Sequence, residues 1–380
     1  MSNNYLFTIL VITSFFFCVQ LVYWFIFLRL ALYQTKNEPQ KNTDTQQGIS
    51  IIVAAHNEAE NLTKLLPALL AQQYKNYEII VIDDRSYDET RQVIFDAQKL
   101  SPKIKLVRID HKPEEPDGKK FALTMGIKAA KNEWLLFTDA DCLPNSPDWL
   151  AEMSAQCGEE KSFVLGISQY QKQGGLLNAF IQFETFMTAL QYLSWALAGS
   201  PYMGVGRNLA YRKSIFMANN GFYRHTTVTG GDDDLLINRL ATGSNTAICV
   251  NTASQTTSVP KQTWETWYAQ KKRHLSVGKY YKFSDKIRTS LFTFSIFFFW
   301  LALLLQVFVG WWLQNEILLY SALAMHLLRW LIAVLVLLFA QDKLSAKAYA
   351  GLYPIIEPFY VIYQLLVGLI ALTTEKVTWR

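Results

Sequence analysis

Trp134-Leu-Leu-Phe-Thr-Asp-Ala-Asp-Cys142 sets the reading of this chain, because a short apolar run stops abruptly at two carboxylates one residue apart. Four apolar residues bounded by polar ones suit a buried strand. Working outward, Ile49-Ser-Ile-Ile-Val-Ala-Ala55 ends at His56, Asn57 and Glu58, and Glu78-Ile-Ile-Val-Ile-Asp83 ends at Asp83 and Asp84. Ile104 to Ile109 is a further strand candidate. Helical patterns separate these runs. Leu62, Leu65, Leu66, Leu69 and Leu70 recur at helical spacing after a capping pair, Asn57 with Glu60; Ser86 with Glu89 offers a capping box before Val93, Ile94 and Leu100; a helix is expected from about Lys119 to Lys131. Such alternation implies a parallel sheet covered by helices. Ligands of open α/β sheets gather beyond the carboxyl ends of the strands, and the polar clusters fall there.

Each cluster suggests a task. Asp139 and Asp141 can share a hard divalent cation, Mg2+ or Mn2+, which favours oxygen ligands and usually keeps substrate phosphates among them. Asp83 and Asp84 can accept hydrogen bonds from a nucleobase amide or ribose hydroxyls. Gly230-Gly231-Asp232-Asp233-Asp234 places three carboxylates in a row, whose repulsion raises at least one pKa or demands a nearby cation. That tension suits a general base, and the same residues suit the positive N-terminus of the next helix, Leu235 to Leu240. Gly204 to Asn208 is small enough for backbone to approach a ligand. Gln270-Lys-Lys-Arg-His274 follows Trp264, Trp267 and Tyr268 on an amphipathic helix suited to a bilayer surface, where an arginine could also grip a diphosphate. Leu176 to Ala198, interrupted by Gln182, Glu184 and Gln191, reads as an interfacial or buried helix.

The 380 residues are 51% hydrophobic, and the apolar excess sits at the two ends. Tyr5 to Tyr33 carries one charge, Arg29, and is longer than the roughly 20 residues that span a bilayer. It lacks the basic start and small-residue cleavage site of a signal peptide, so an anchor is expected. Thr289 to Leu313 and Ile317 to Ala340 read as two more spans. Leu352 to Leu372, with Pro354, Glu357 and Pro358, either crosses with a kink or dips in and returns. Glu357 itself is read either as a contact for lipid headgroups or as a satisfied glutamate near an interface. Arg29 and Lys36, then Lys282, Lys286 and Arg288, then Lys343 and Lys347 put the middle of the chain in the cytosol. Lys376 and Arg380 would sit outside if the last segment crosses. A net charge of +5 is largely explained by these flanks, and nothing suggests nucleic-acid binding. Four scattered cysteines are expected as reduced thiols.

The ordered set from about Gly48 to His274 resembles the inverting family 2 glycosyltransferases of GT-A fold, the group that includes cellulose, chitin and hyaluronan synthases and many single-addition enzymes. Val53-Ala-Ala-His-Asn-Glu58 is similar to the opening Pro-x-Tyr-Asn-Glu motif, with Ala54 and His56 replacing Pro and Tyr. Val81-Ile-Asp-Asp-Arg-Ser86 resembles the nucleotide-binding Asp-Asp-x-Ser, Gly118-Lys119 the lysine-bearing loop, and Asp139-Ala-Asp141 the metal-binding Asp-x-Asp. The resemblance implies that Ala54, His56, Asn57, Glu58, Asp83, Asp84, Lys119, Asp139, Gln270 and Arg273 bind the nucleotide sugar, and that Asp139 and Asp141 hold the cation. It places the base on Asp232, with Gly231 where the family's Glu stands, Asp233 as the alternative and Asp234 completing the cluster. Gly206, Arg207, Asn208 and His274 fall on the acceptor side, His274 replacing the Trp of Gln-x-x-Arg-Trp.

The fold expected is a mixed, mostly parallel α/β sheet flanked by helices, with α-helical transmembrane segments. Residues 1–33 form the anchor, 34–48 a linker, 49–288 the cytosolic transferase domain and 289–380 a membrane region with spans near 289–313, 317–340 and 352–372. The function expected is transfer of a sugar from a nucleotide-diphosphate sugar to a lipid-linked or envelope glycan acceptor by a multi-pass protein of the inner (plasma) membrane. A processive polysaccharide synthase and an inactive envelope-assembly scaffold are the alternatives.

Overall fold

The computed structural model describes residues 3–35, 47–111, 118–223, 228, 230–346 and 349–373. Lys36, Lys347, Lys376, Arg380 and most of the expected linker lie outside the described residues. The chain begins with helix α1 (Asn3–Ala31) and then alternates β1 (Ile49–Ala55), α2 (Ala59–Leu70), β2 (Tyr77–Asp84), α3 (Thr90–Leu100), β3 (Ile104–Ile109), α4 (Gly118–Ala129) and β4 (Trp134–Phe137). Shorter elements follow: β5 (Cys142–Pro144), α5 (Trp149–Ala155), β6 (Phe163–Leu165), β7 (Ser168–Tyr170), the long α6 (Leu176–Leu197), β8 (Leu209–Arg212), α7 (Lys213–Ala218), α8 (Asp234–Leu240), β9 (Thr246–Ile248) and β10 (Thr256–Ser258). Helices α9 (Trp264–Ser276), α10 (Phe283–Trp312), α11 (Glu316–Leu344) and α12 (Tyr353–Thr373) close the chain.

Seven strands form one sheet in the order β3-β2-β1-β4-β8-β6-β9. β3, β2, β1 and β4 are mutually parallel, and β8 runs antiparallel between β4 and β6. β1 and β2 are buried on both faces, which is why they read as unbroken β-branched runs rather than alternating ones. Alternate residues point to opposite faces. Ile51, Val53, Ile79 and Val81 pack under α2, α3 and α5, with Leu62, Leu66, Ile94 and Trp149. Ile52, Ile80, Ile82 and Phe137 pack against α4 and α6 on the other side, in a core that continues into Trp24, Phe27, Phe292 and Val336 of the long terminal helices. β5, β10 and β7 make a small second sheet beside the strand ends.

Two capping expectations fail. The residue preceding α2 is Glu58, not Asn57, and it makes no side-chain cap; Asn57 instead takes a left-handed conformation, φ 57°, and its Oδ1 accepts the Tyr87 amide. The cap of α3 is Glu89, also without a side-chain bond, while the Asp88 carboxylate accepts the Thr90 amide and Ser86 Oγ accepts the Asn57 amide. The loops after β1 and β2 bond to each other in preference to their own helices.

Among the described residues four helices, α1, α10, α11 and the segment from Ala350 to Ile370, are long and apolar enough to cross a membrane. Trp300 Nε1 of α10 donates to Glu357 at 2.9 Å, and Thr293 Oγ1 bonds Gln364 at 2.6 Å. These contacts run in opposite sequence order, so along α10 the helix α12 returns toward the catalytic region. Its Tyr360 and Tyr363 pack on Phe183 and Phe180 of α6, and Tyr363 also meets Trp267 of α9. Glu357 is 0% exposed and takes a bidentate pair from Arg329 of α11 together with the Tyr353 hydroxyl. Its carboxylate is saturated by the protein, so it is the satisfied glutamate and not a headgroup contact.

Candidate functional site

The site is assembled where β1, β2 and β4 end. His56 donates from Nδ1 to the Asp84 carbonyl at 2.6 Å, a partner that fixes the tautomer. Asp83 accepts the Ser86 amide at 3.1 Å and Arg91 Nε at 2.8 Å; Asp84 is gripped by Arg85 Nε and Nη2 at 2.7 and 3.0 Å. Both carboxylates are buried, and these contacts account for their presence without a ligand. Arg91, the partner that orders Asp83, was not singled out in the sequence because it lies on the helix beyond the motif.

One pocket gathers Ala54, Lys119, Asp139, Gly206, Asp232 and Asp233. Lys119 Nζ lies 2.9 Å from Asp139 Oδ1 and 3.5 Å from Asp232 Oδ2, so one ammonium joins the end of β4 to the loop before α8. Burial acts to raise the Asp139 pKa, but Lys119, with Arg207 and Arg273 further off, outweighs it and holds this carboxylate below its ordinary range. Glu58 is pushed the other way, by burial first and then by Asp141 and Asp139 nearby.

The three consecutive aspartates face different partners. Asp232 is toward Lys119, its side chain 11% exposed. Asp233 accepts the Gly206 amide through Oδ2 at 2.6 Å and the Asp234 amide through Oδ1 at 2.8 Å. Burial, then the charge of Asp232, pushes its pKa up to about 6. Asp234 turns away to accept the Tyr281 hydroxyl at 2.9 Å, and burial raises it well above the carboxylate range.

Arg207 lies over the Tyr170 ring, 4.5 Å from its centroid, and donates to Ser258 Oγ at 2.8 Å. Asn208 is not brought to the pocket: fully buried, it donates to the Ile167 and Ser254 carbonyls and accepts from Trp149 Nε1. α9 carries Gln270, Arg273 and His274, none of which lines that pocket, although the Arg273 charge reaches Asp139; Lys271 of the same helix pairs with Glu184 of α6.

Among the described residues no group of three or more His, Cys, Asp or Glu side chains is placed to cage a metal. A hard cation held by one or two carboxylates and completed by phosphates and water needs no cage. Asp139 at the end of β4 and Asp141 two residues on supply carboxylate oxygens of the kind such an ion takes, and both raise the pKa of the nearby Glu58.

Residues 50–218 match the family model described as Glycosyl transferase family 2. The poly-beta-1,6-N-acetyl-D-glucosamine synthase of Staphylococcus aureus (strain COL) is 29% identical over 192 residues, covering 46% of this chain and 45% of that protein. The enzyme of the same name from Staphylococcus epidermidis is 29% identical over 161 residues, 39% of this chain and 38% of its own length. The match thus spans less than half the length of these curated relatives. Among solved structures, the mannosyltransferase PcManGT from Pyrobaculum calidifontis, in complex with GDP-Man and Mn2+, superimposes with a TM-score of 0.58 at 17% identity, covering 89% of this chain and 98% of that one. That likeness concerns the fold, which is GT-A.

Proposed function

We propose that the protein, whose residues 50–218 match the glycosyl transferase family 2 model and whose fold is GT-A, transfers a sugar from a nucleoside-diphosphate sugar to a hydroxyl of a lipid-linked or envelope glycan acceptor, at the cytosolic face of the plasma (inner) membrane, with inversion at the anomeric carbon. The observation that carries the reading is the meeting of Asp139 and Asp232 around Lys119 in one pocket, which brings donor-side carboxylates and a candidate base within reach of the same sugar.

Asp232 takes the acceptor proton, because its carboxylate faces the pocket, whereas both oxygens of Asp233 already serve backbone amides. The acceptor oxygen attacks the anomeric carbon, the bond to the phosphate oxygen breaks from the opposite side, and the electron pair leaves with the nucleoside diphosphate. Arg273 and Arg207 supply fixed positive charge toward Asp139, where negative charge accumulates on the leaving group. Asp139 and Asp141 would hold a divalent cation, which supplies Lewis-acid stabilisation to the diphosphate when bound. His56 and Asn57 fix the two strand-end loops on which the nucleoside rests, and Asp83 shapes that loop through Ser86 and Arg91.

The membrane arrangement follows the same reading. α1, α10 and α11 cross the bilayer, and α12 enters and returns on the catalytic side, since its contacts with α10 run in reverse order and its later turns pack on α6 and α9. Two helices of one apparent pair would then both point toward the domain. α9, with Trp264 and Tyr268 exposed, lies at the lipid surface.

Processive synthesis is the second reading, favoured by the polysaccharide synthases among the relatives. Product length separates the two. Purified protein, radiolabelled donor and a membrane extract should yield a single added residue; a ladder of longer products would establish the polymerase instead.

A further inference from the structure

Lys119 bridges two carboxylates: its ammonium spans Asp139 and Asp232 at 2.9 and 3.5 Å, with 15% of the side chain exposed. The backbone beneath it is tethered. Lys119 opens the first turn of α4, and the next residue, Lys120, is fully buried and donates to the Val228 carbonyl on the approach to the aspartate loop. The result is a cation with an anchored base and a flexible four-carbon stem. A divalent ion taken up by Asp139 would meet the same carboxylate that the ammonium holds, and two positive centres sharing one carboxylate repel, the more so because Lys119 is mostly buried even though the Asp139 side chain is 35% exposed. A diphosphate removes the conflict, because it brings negative charge enough for both.

We propose that Lys119 bars the bare divalent cation from the site, so that the ion enters only with the nucleotide's diphosphate, to which the ammonium then turns. This rests on the donor-site reading given above and adds an order of events to it. Lys119 is a positioning residue: by leaving Asp139 it also loosens its hold on Asp232, so the base is released as the donor is seated. No covalent bond changes in this step.

The test uses full-length protein in detergent, titrated with Mn2+ alone while free Mn2+ is followed by electron paramagnetic resonance. Wild type should retain the ion weakly, and Lys119→Met should retain it about tenfold more tightly or better, since one repelling charge is gone. Lys119→Arg should stay near wild type. Circular dichroism and a thermal melt establish that each variant is folded, and Lys119→Gln replaces the Met variant if that one is not. Equal Mn2+ affinity in wild type and the neutral variant overturns the proposal. Uridine and guanosine diphosphates are then added. If either raises Mn2+ retention by wild type while the neutral variant shows no gain in bare-ion affinity, the barrier fails and the transferase reading stands; if neither does, the donor-site reading fails with it.

Discussion

Asp233 Oδ2 accepts the backbone amide of Gly206 at 2.6 Å, which ties the aspartate loop to the segment Gly204 to Asn208 and leaves the neighbouring Asp232 as the carboxylate facing Lys119. Two residues of the same type, one position apart, thereby have separable duties. A Cβ on Gly206 would come within 3.1 Å of the same Asp233 oxygen, so the close approach depends on glycine there.

Asp232→Asn should lower transfer by about 10²-fold or more, the usual worth of a positioned base, while leaving nucleotide-sugar affinity in calorimetry nearly unchanged. Asp233→Asn should instead cost stability, on the order of 1–3 kcal/mol, because one of its two backbone amide donors would face an NH2 group. Full turnover in Asp232→Asn would move the base to Asp233.

The raised Asp233 carboxyl gives a pH signature of definite sign. Its pKa is about 6 in the fold against an ordinary 3.8, so between these values the native state binds more protons than the unfolded state, and this group's contribution to stability falls as pH rises. Urea midpoints measured at pH 4.5 and 7 should therefore diverge less in Asp233→Asn than the wild-type difference predicts in that direction. Asp232→Asn should act similarly by removing the neighbouring charge that lifts Asp233; an unchanged pH dependence in both variants would refute the coupling.

For the donor-side carboxylates, chelation or Asp141→Ala should weaken binding of the nucleotide sugar, read by calorimetry, and should leave the melting of the empty protein within a few degrees of wild type, since among the described residues the Asp141 side chain makes one hydrogen bond, accepted from the Cys142 thiol at 3.4 Å. Undiminished affinity in excess chelator would take the metal out of the mechanism.

A reporter fused after Arg380 checks the path of α12. If the helix returns, a phosphatase that is active only outside the cytosol should be silent there, and a fluorescent protein that matures in the cytosol should light up. The opposite pattern would make α12 a fourth crossing.

The parallel half of the sheet was legible because β1, β2 and β4 are strong apolar runs with polar ends. The rest was not: β6 and β9 of that sheet, and β5, β7 and β10 of the small second sheet, are three residues each, too short to show a period, and are strands only through their neighbours. Local spacing also misassigned the caps, since Asn57 and Ser86 are adjacent in space but 29 positions apart in sequence, and side chains that favour a cap bonded across the gap instead. The pocket residues were readable from their motifs. What the motifs could not convey was that Lys119 would lie between two of them, or that Asp234 and Asn208 would turn inward to Tyr281 and Trp149.

The bidentate pair of Arg329 and Glu357 has a bearing on how the protein is built. Arg329 sits midway along α11, but its counter-charge arrives 28 positions later, in α12. If α11 crosses a bilayer, it would present an unmatched guanidinium to lipid until α12 docks, at a cost of several kcal/mol. In a bilayer α11 would therefore not settle ahead of α12, whose one carboxylate, Glu357, also accepts Trp300 and so clasps α11 to α10.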